Sequence, residues 1–151
     1  MDVRILGPTI RSAAMPRNLD AALGDGGMPL LAQLGLSFER YGEGWAEATW
    51  VPTALACNPL GTVHGGVYGV IHDAAMNFAA SSALERGDRA ATLDVSYQTI
   101  RPSSSGDTLT VRGTVVRIST SVAYLESSVN GSDDTVISRA TATFFVRRRD
   151  A

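Results

Sequence analysis

The sequence predicts an α+β domain in which one long buried helix lies inside a curved antiparallel sheet of five to six strands. Three patterns predict it. Gly66 to Leu84 is apolar on nearly every side of a helical wheel. Segments after residue 90 alternate apolar with polar residues at period two, and a pair of short aromatic-rich segments precedes the helix.

Taken in chain order, residues 1–27 read as a loosely organised arm, partly disordered, with a short helix near Asn18 to Leu23 ended by Gly24, Gly26 and Gly27. Residues 28–151 read as a single domain. Met28 to Leu34 supplies one or two helical turns stopped by Gly35. Leu36 to Tyr41 and Gly44 to Val51, separated by Gly42-Glu43-Gly44, make a β-hairpin. After the long helix, strands are expected at Thr92 to Ile100, Thr108 to Ile118, Val122 to Val129 and Val136 to Val146. Ser103-Ser104-Ser105-Gly106-Asp107 and Asn130-Gly131 lie between strands as turns, the latter tolerating positive φ at both central positions. Successive strands are therefore expected to be antiparallel neighbours. Asn130-Gly131-Ser132 also matches a glycosylation sequon, but the turn explains it better in a chain that shows no secretory signal.

Composition narrows the chemistry. The 151 residues are 44% hydrophobic and carry a net charge of -2, which fits one globular domain and neither a nucleic-acid binder nor a disordered tail. No apolar run is long enough for a membrane span, and Arg4, Pro8 and Arg11 interrupt any signal-like stretch, so a soluble, cytoplasmic protein is expected. All 13 basic residues are Arg, which excludes Schiff-base chemistry and a P-loop lysine. Cys57 is the lone cysteine, and His64 and His72 are the sole histidines, so no metal site and no cofactor is expected.

The polar positions inside the helix stand out. Asp73, Asn77 and Ser81 recur every four residues and form one narrow stripe on an apolar cylinder. A buried carboxylate costs several kcal/mol if unpaired, so it is either tied into hydrogen bonds or kept for chemistry. Ahead of the helix, residues 58–66 read Asn-Pro-Leu-Gly-Thr-Val-His-Gly-Gly. The double glycine opens the helix where unpaired N–H groups and the positive end of the dipole favour negative charge, as on the oxyanion of an attacked carbonyl. A plain glycine-rich loop is the bland alternative. No G-x-S-x-G elbow occurs, and His72 projects about 100° away from Asp73, so His72 reads as structural or interfacial.

His64-Gly65-Gly66, Asp73 within an Ala-rich helix, and Arg101-Pro102 ahead of a Ser/Gly turn together resemble the hotdog-fold acyl-CoA thioesterases, more closely their phenylacetyl-CoA thioesterase-like subgroup. The likeness spans about residues 36–147. It implies a helix held in a curved sheet, dimers joined edge to edge with the active site between protomers, and pairs of dimers forming homotetramers. It implies Asp73 as general base or nucleophile, the Gly65 N–H as the group polarising the thioester carbonyl, and His64 as a positioning group. Asn58 then corresponds to a residue holding the water or carboxylate, and Thr92 to a water-binding hydroxyl. Gly66, Tyr68, Asn77 and Arg101 are the candidates for substrate binding, Arg101 for the coenzyme A phosphates, with the Arg147 to Arg149 tail a second choice because such runs are more often solvated ends. Tyr68, Ile71, Met76 and Phe78 are the candidate lining of the acyl pocket. An aryl- or medium-chain acyl-CoA substrate is expected, without metal, nucleic acid or membrane partner. Asp in place of Glu places the site with the Asp-type branch, and a hydratase or dehydratase pattern is absent. The opposing reading is a non-catalytic acyl-CoA or acyl-carrier-protein binding module on the same fold.

Overall fold

The computed structural model of the chain describes residues 23–149. The predicted helix near Asn18 lies almost wholly outside them. The last residues of the expected arm are joined to the domain, with Gly24 and Phe38 exchanging backbone hydrogen bonds of 2.9 and 2.8 Å. Helix α1 (Pro29–Leu34) begins on a proline and ends at Gly35, whose φ of 94° is the left-handed cap that favours glycine. Strands β1 (Leu36–Gly42) and β2 (Trp45–Trp50) form the hairpin. A single 3-10 turn at Ala54–Ala56, not foreseen in the sequence, leads to the long helix α2 (Gly65–Ser82). Four strands follow: β3 (Arg89–Thr99), β4 (Leu109–Ile118), β5 (Val122–Asn130) and β6 (Val136–Arg147).

All six strands join one antiparallel sheet in the order β1-β2-β4-β5-β6-β3, with α2 packed across it. The expectation that successive strands after the helix are neighbours therefore holds for β4–β5 and β5–β6 but fails between β3 and β4: β3 pairs with β6 at the far edge while β4 lies between β2 and β5. The serine-rich segment before β4 is consequently a crossover rather than a hairpin turn. It is strapped to the loop that enters α2, with Val63 donating to Ser103 (2.9 Å), Ser105 to Gly61 (3.1 Å) and Gly106 to Pro52 (3.0 Å). Asn130-Gly131 also differs from expectation. The connection is longer than two residues, Gly131 and Thr135 close it at 2.8 Å, and the positive φ of 67° falls on Asp134.

Alternation along each strand sends one face toward α2. Leu36, Phe38, Ala46, Ala48, Trp50, Leu109, Val111, Leu125, Val129, Ala140, Ala142 and Phe144 are all buried there. The helix meets them with Tyr68, Ile71, Ala75, Met76, Ala79 and Ala80. The tightest point is Gly113 on β4. A Cβ at that position would stand 2.2 Å from the Ala75 carbonyl oxygen of α2, backbone against backbone. On the outer face Glu47, 8% exposed, pairs with Arg40 and, at 3.4 Å, with Arg112. Of the C-terminal arginines, Arg147 and Arg149 are exposed as expected of a solvated end, but Arg148 is not. Arg148 donates to the Ser119 carbonyl (2.8 Å) and the Asp88 carboxylate (3.2 Å), which ties the tail to two loops.

His72 pins α2 to the sheet. It is wholly buried, bonded through Nδ1 to Ser127 on β5 and through Nε2 to Ser138 on β6 (2.8 Å). Ser138 Oγ donates to the Gln98 carbonyl at 3.0 Å, which assigns the ring proton to Nε2 and leaves Nδ1 to accept from Ser127. Burial lowers the imidazole from its ordinary 6.5 to about 4.

Two outcomes follow for stability. Because the unfolded chain takes up a proton on His72 below pH 6.5 and the folded chain does so near pH 4, this residue's contribution is complete above 6.5 and disappears as the pH falls toward 4. The loss is about 3 kcal/mol, and a urea-midpoint series across that window should slope accordingly, with the slope flattened in His72→Gln; equal slopes would contradict the assignment. Gly113→Ala should cost about 2–4 kcal/mol through the clash with Ala75, read as a lower Tm, and an unchanged Tm would show that the helix can lift without penalty.

Candidate active site

The approach to α2 is built by its own side chains. Asn58 accepts from the Leu60 and Thr62 N–H groups through Oδ1 (3.0 and 3.2 Å) and donates from Nδ2 to Thr62 Oγ1 (2.7 Å). Both ends of its amide thus close the loop, an arrangement that asparagine favours. His64 is the N-cap of α2, and its Nδ1 accepts the Gly66 N–H at 3.0 Å. The Val67 N–H bonds the His64 carbonyl at 3.0 Å. The Gly65 N–H has no partner among the described residues and is exposed, and the space where a Gly65 Cβ would lie is open. An unpaired donor at the positive end of an 18-residue helix is suited to a developing negative charge.

Two turns further on, the polar stripe meets β3. Thr92 donates from Oγ1 to Asp73 Oδ1 at 2.6 Å, and Oδ2 has no donor among the described residues. Asn77 reaches the Ala90 carbonyl at 3.4 Å. Asp73, Asn77 and Ser81 are half-buried, so the helix is not covered on all sides within one chain: the stripe, with Val67, Val70 and Phe78, forms a flank left partly open. Strand β3 runs antiparallel to the helix along that flank. A bulge between Thr92 and Asp94 inserts Leu93 as an extra residue, which allows Thr92 and, beyond it, Val95, Tyr97 and Thr99 to turn to the same side.

Tyr97 is a site residue that the sequence reading missed. Its hydroxyl donates to the Gly65 carbonyl at 3.0 Å, and its ring lies over Gly69, where a Cβ would be 3.0 Å from the ring edge. The available signal was a glycine one turn into the helix facing a bulky residue on an inward strand position.

Other candidates fall elsewhere. Tyr68 is 1% exposed, edge-on to Trp50 at 5.5 Å with its hydroxyl on Ser103, and burial raises its pKa, so it packs the core instead of lining a substrate pocket. Ile71 and Met76 share that buried face, leaving Phe78, stacked on Phe38 at 3.8 Å, as the partly exposed member of the expected acyl lining. The reason is the 3.6-residue period, which points 68, 71, 75 and 79 at the sheet. Arg101 is exposed past the end of β3, with one guanidinium nitrogen on the Val136 carbonyl at 2.6 Å. A groove of about 600 Å³ on the outer face, bordered by Gln98, Arg112, Glu126 and Arg139, contains none of Asp73, Gly65 or Thr92. Among the described residues no three His, Cys, Asp or Glu side chains converge as a metal site, and no helix is long and apolar enough to cross a membrane.

The model of the thioesterase superfamily matches residues 60–138, more than half of the chain, from the α2 entry loop into β6. The chain belongs to this superfamily. A curated Haemophilus influenzae protein, named as a candidate esterase, is 27% identical over 74% of this chain and 81% of its own. A solved Haemophilus influenzae thioesterase superposes with a TM-score of 0.73 at 25% identity, covering 79% of this chain and 82% of that one. The Escherichia coli PaaI protein from the phenylacetic acid degradation operon has the same fold, with a TM-score of 0.71 at 22% identity, over 81% of this chain and 85% of that one. A hypothetical thioesterase from Streptococcus pneumoniae, solved with coenzyme A, does so at 0.68 and 22%, over 75% and 90%. The thioesterase match takes in Gly65, Asp73 and Thr92 together. The helix wrapped by a curved six-stranded sheet is the hotdog fold.

In this thioesterase the Asn58 loop sets where α2 begins. Asn58→Ala should lower stability by about 1–3 kcal/mol through loss of its three loop bonds, measured by chemical denaturation. An unchanged midpoint would mean that the crossover strap alone holds the loop.

Proposed function

We propose that the protein hydrolyses the thioester bond of acyl-coenzyme A, with Asp73 as the reacting carboxylate and the Gly65 N–H as the oxyanion donor. The observation that carries this reading is the Thr92–Asp73 pair: one carboxylate oxygen is held at 2.6 Å while the other faces the open flank of α2 without a donor among the described residues. A carboxylate oriented by a hydroxyl and left with a free oxygen is suited to take a proton from water or to attack a carbonyl itself. In the first route water adds to the thioester carbon as Asp73 removes its proton, and the tetrahedral oxyanion is stabilised by the Gly65 N–H. Collapse then breaks the C–S bond and the proton passes from Asp73 to the departing thiolate. In the second, Asp73 attacks the thioester carbon and the C–S bond breaks to expel the coenzyme A thiolate; water then cleaves the acyl anhydride to the free acid and the restored Asp73 carboxylate, and the proton released goes to the thiolate. Neutral, buried His72 takes no part in either.

Eight residues of helix separate Gly65 from Asp73, about 12 Å, too far for both to act on one carbonyl. The reading therefore places them on two copies of the chain, the Asp73 of one opposite the Gly65 of the other. The half-open flank of α2 and the exposed β3 edge, carrying Leu93 at 61% exposure, support a partner there. Homodimers, paired into homotetramers in the cytoplasm, complete the reading. Arg101 is offered to the coenzyme A phosphates. The coenzyme A held by the Streptococcus pneumoniae relative supports the handle, and the operon of the PaaI protein supports an aryl acyl group.

Thiol release from a panel of aryl and aliphatic acyl-CoAs should fall at least about a hundredfold in Asp73→Asn, the scale of acid–base catalysis, with acyl-CoA binding retained. Binding without turnover by the unaltered protein would replace the hydrolase with a binding module. A monomer in solution would exclude the shared site.

A further inference from the structure

Two consecutive glycines are the least constrained backbone a helix can start on, because neither carries a Cβ to narrow its φ and ψ. In this chain the peptide joining Gly65 to Gly66 is held at both ends. Its N–H, on Gly66, donates to His64 Nδ1 at 3.0 Å, and its carbonyl, on Gly65, accepts from the Tyr97 hydroxyl at 3.0 Å. The first clamp is local. The second comes from β3, 32 residues away, and reaches the helix because Gly69 leaves room for the ring: a Cβ there would be 3.0 Å from Cε1 and 3.4 Å from the hydroxyl oxygen. The next peptide back carries the unpartnered Gly65 N–H, and its own carbonyl, on His64, accepts the Val67 N–H at 3.0 Å, so its direction is set by that bond together with the Gly65–Gly66 peptide.

We infer that Tyr97 is a positioning residue for this reaction: its hydroxyl fixes the glycine pair so that the Gly65 N–H points to where the thioester oxygen becomes negative. The inference rests on the proposed hydrolase reading. Tyr97 does not touch the reacting atoms. It replaces backbone entropy that would otherwise have to be lost in the transition state, so its hydroxyl acts on kcat more than on KM. The Tyr97–Gly69 pair also makes a steric partnership, in which enlarging Gly69 displaces the ring and breaks the same clamp.

The test compares wild type, Tyr97→Phe and Gly69→Ala on one acyl-CoA that the wild type turns over. Tyr97→Phe keeps the ring over Gly69 and removes the donor. It should lower kcat about three- to tenfold, the scale of one neutral hydrogen bond, with KM within about twofold and Tm nearly unchanged. Amide exchange at Gly66, whose N–H is bonded to His64, should quicken in the same variant, a readout that does not need turnover. Gly69→Ala should give the same kcat loss without removing the hydroxyl. Wild-type kcat and exchange rates in Tyr97→Phe would overturn the positioning role, while a wild type that releases no thiol would overturn the hydrolase reading itself, leaving the exchange result to judge the clamp. A kcat loss matched by a large fall in Tm would assign Tyr97 to folding alone and also overturn the inference.

Discussion

The backbone contact between Gly113 and Ala75 governs this structure. With no side chain on the strand and a methyl group on the helix, α2 settles directly on β4, and the remaining distances follow from that seating. His72 can then reach serines on both β5 and β6, and the alanines at 75, 79 and 80 fill a narrow space that larger residues would force open. Because the helix lies so low, its opposite flank comes level with β3. Polar groups from the two elements, backbone as well as side chain, meet there at three heights: Gly65 with Tyr97, Asp73 with Thr92, Asn77 with Ala90.

Those three contacts differ in chemical consequence. The Asn77 contact is long and joins a side chain to a backbone carbonyl. The Asp73 contact is short and charge-assisted, so it sets the direction of a carboxylate while leaving half of it unengaged. The Gly65 contact holds backbone rather than side chain. An acid side chain and the backbone at the helix tip are thus each contacted from the same strand, and that strand is at the sheet edge.

Much of the architecture was legible because it is written in period. Alternation from Thr108 onward located three strands to within a residue or two, and the crowded apolar wheel from Gly66 located the helix. The order of strands was not legible. Ser103 to Asp107 has the composition of a tight turn, and only the long-range pairing of β3 with β6 reveals it as a crossover. Asp73 and Gly65 could be singled out because a carboxylate and paired glycines are conspicuous in an alanine-rich context. Tyr97 could not, since one aromatic on a strand looks like any other core residue until the opposing glycine is known to face it. Tyr68 failed for the complementary reason: helical phase relative to the sheet is a tertiary fact, and it turned this ring inward.

The extra residue at Leu93 has a further meaning. A strand normally obliges every second side chain to share one face, so Thr92 and Tyr97, five positions apart, would be forced to opposite sides of the sheet. The bulge acts as a half-step in the thread of the strand, letting the hydroxyl that steadies the acid and the hydroxyl that steadies the helix tip be set by separate gearing. Deleting that single residue would leave the two hydroxyls four positions apart on a regular strand and still on one face, so the extra residue is what reconciles the odd spacing of this sequence with a shared side.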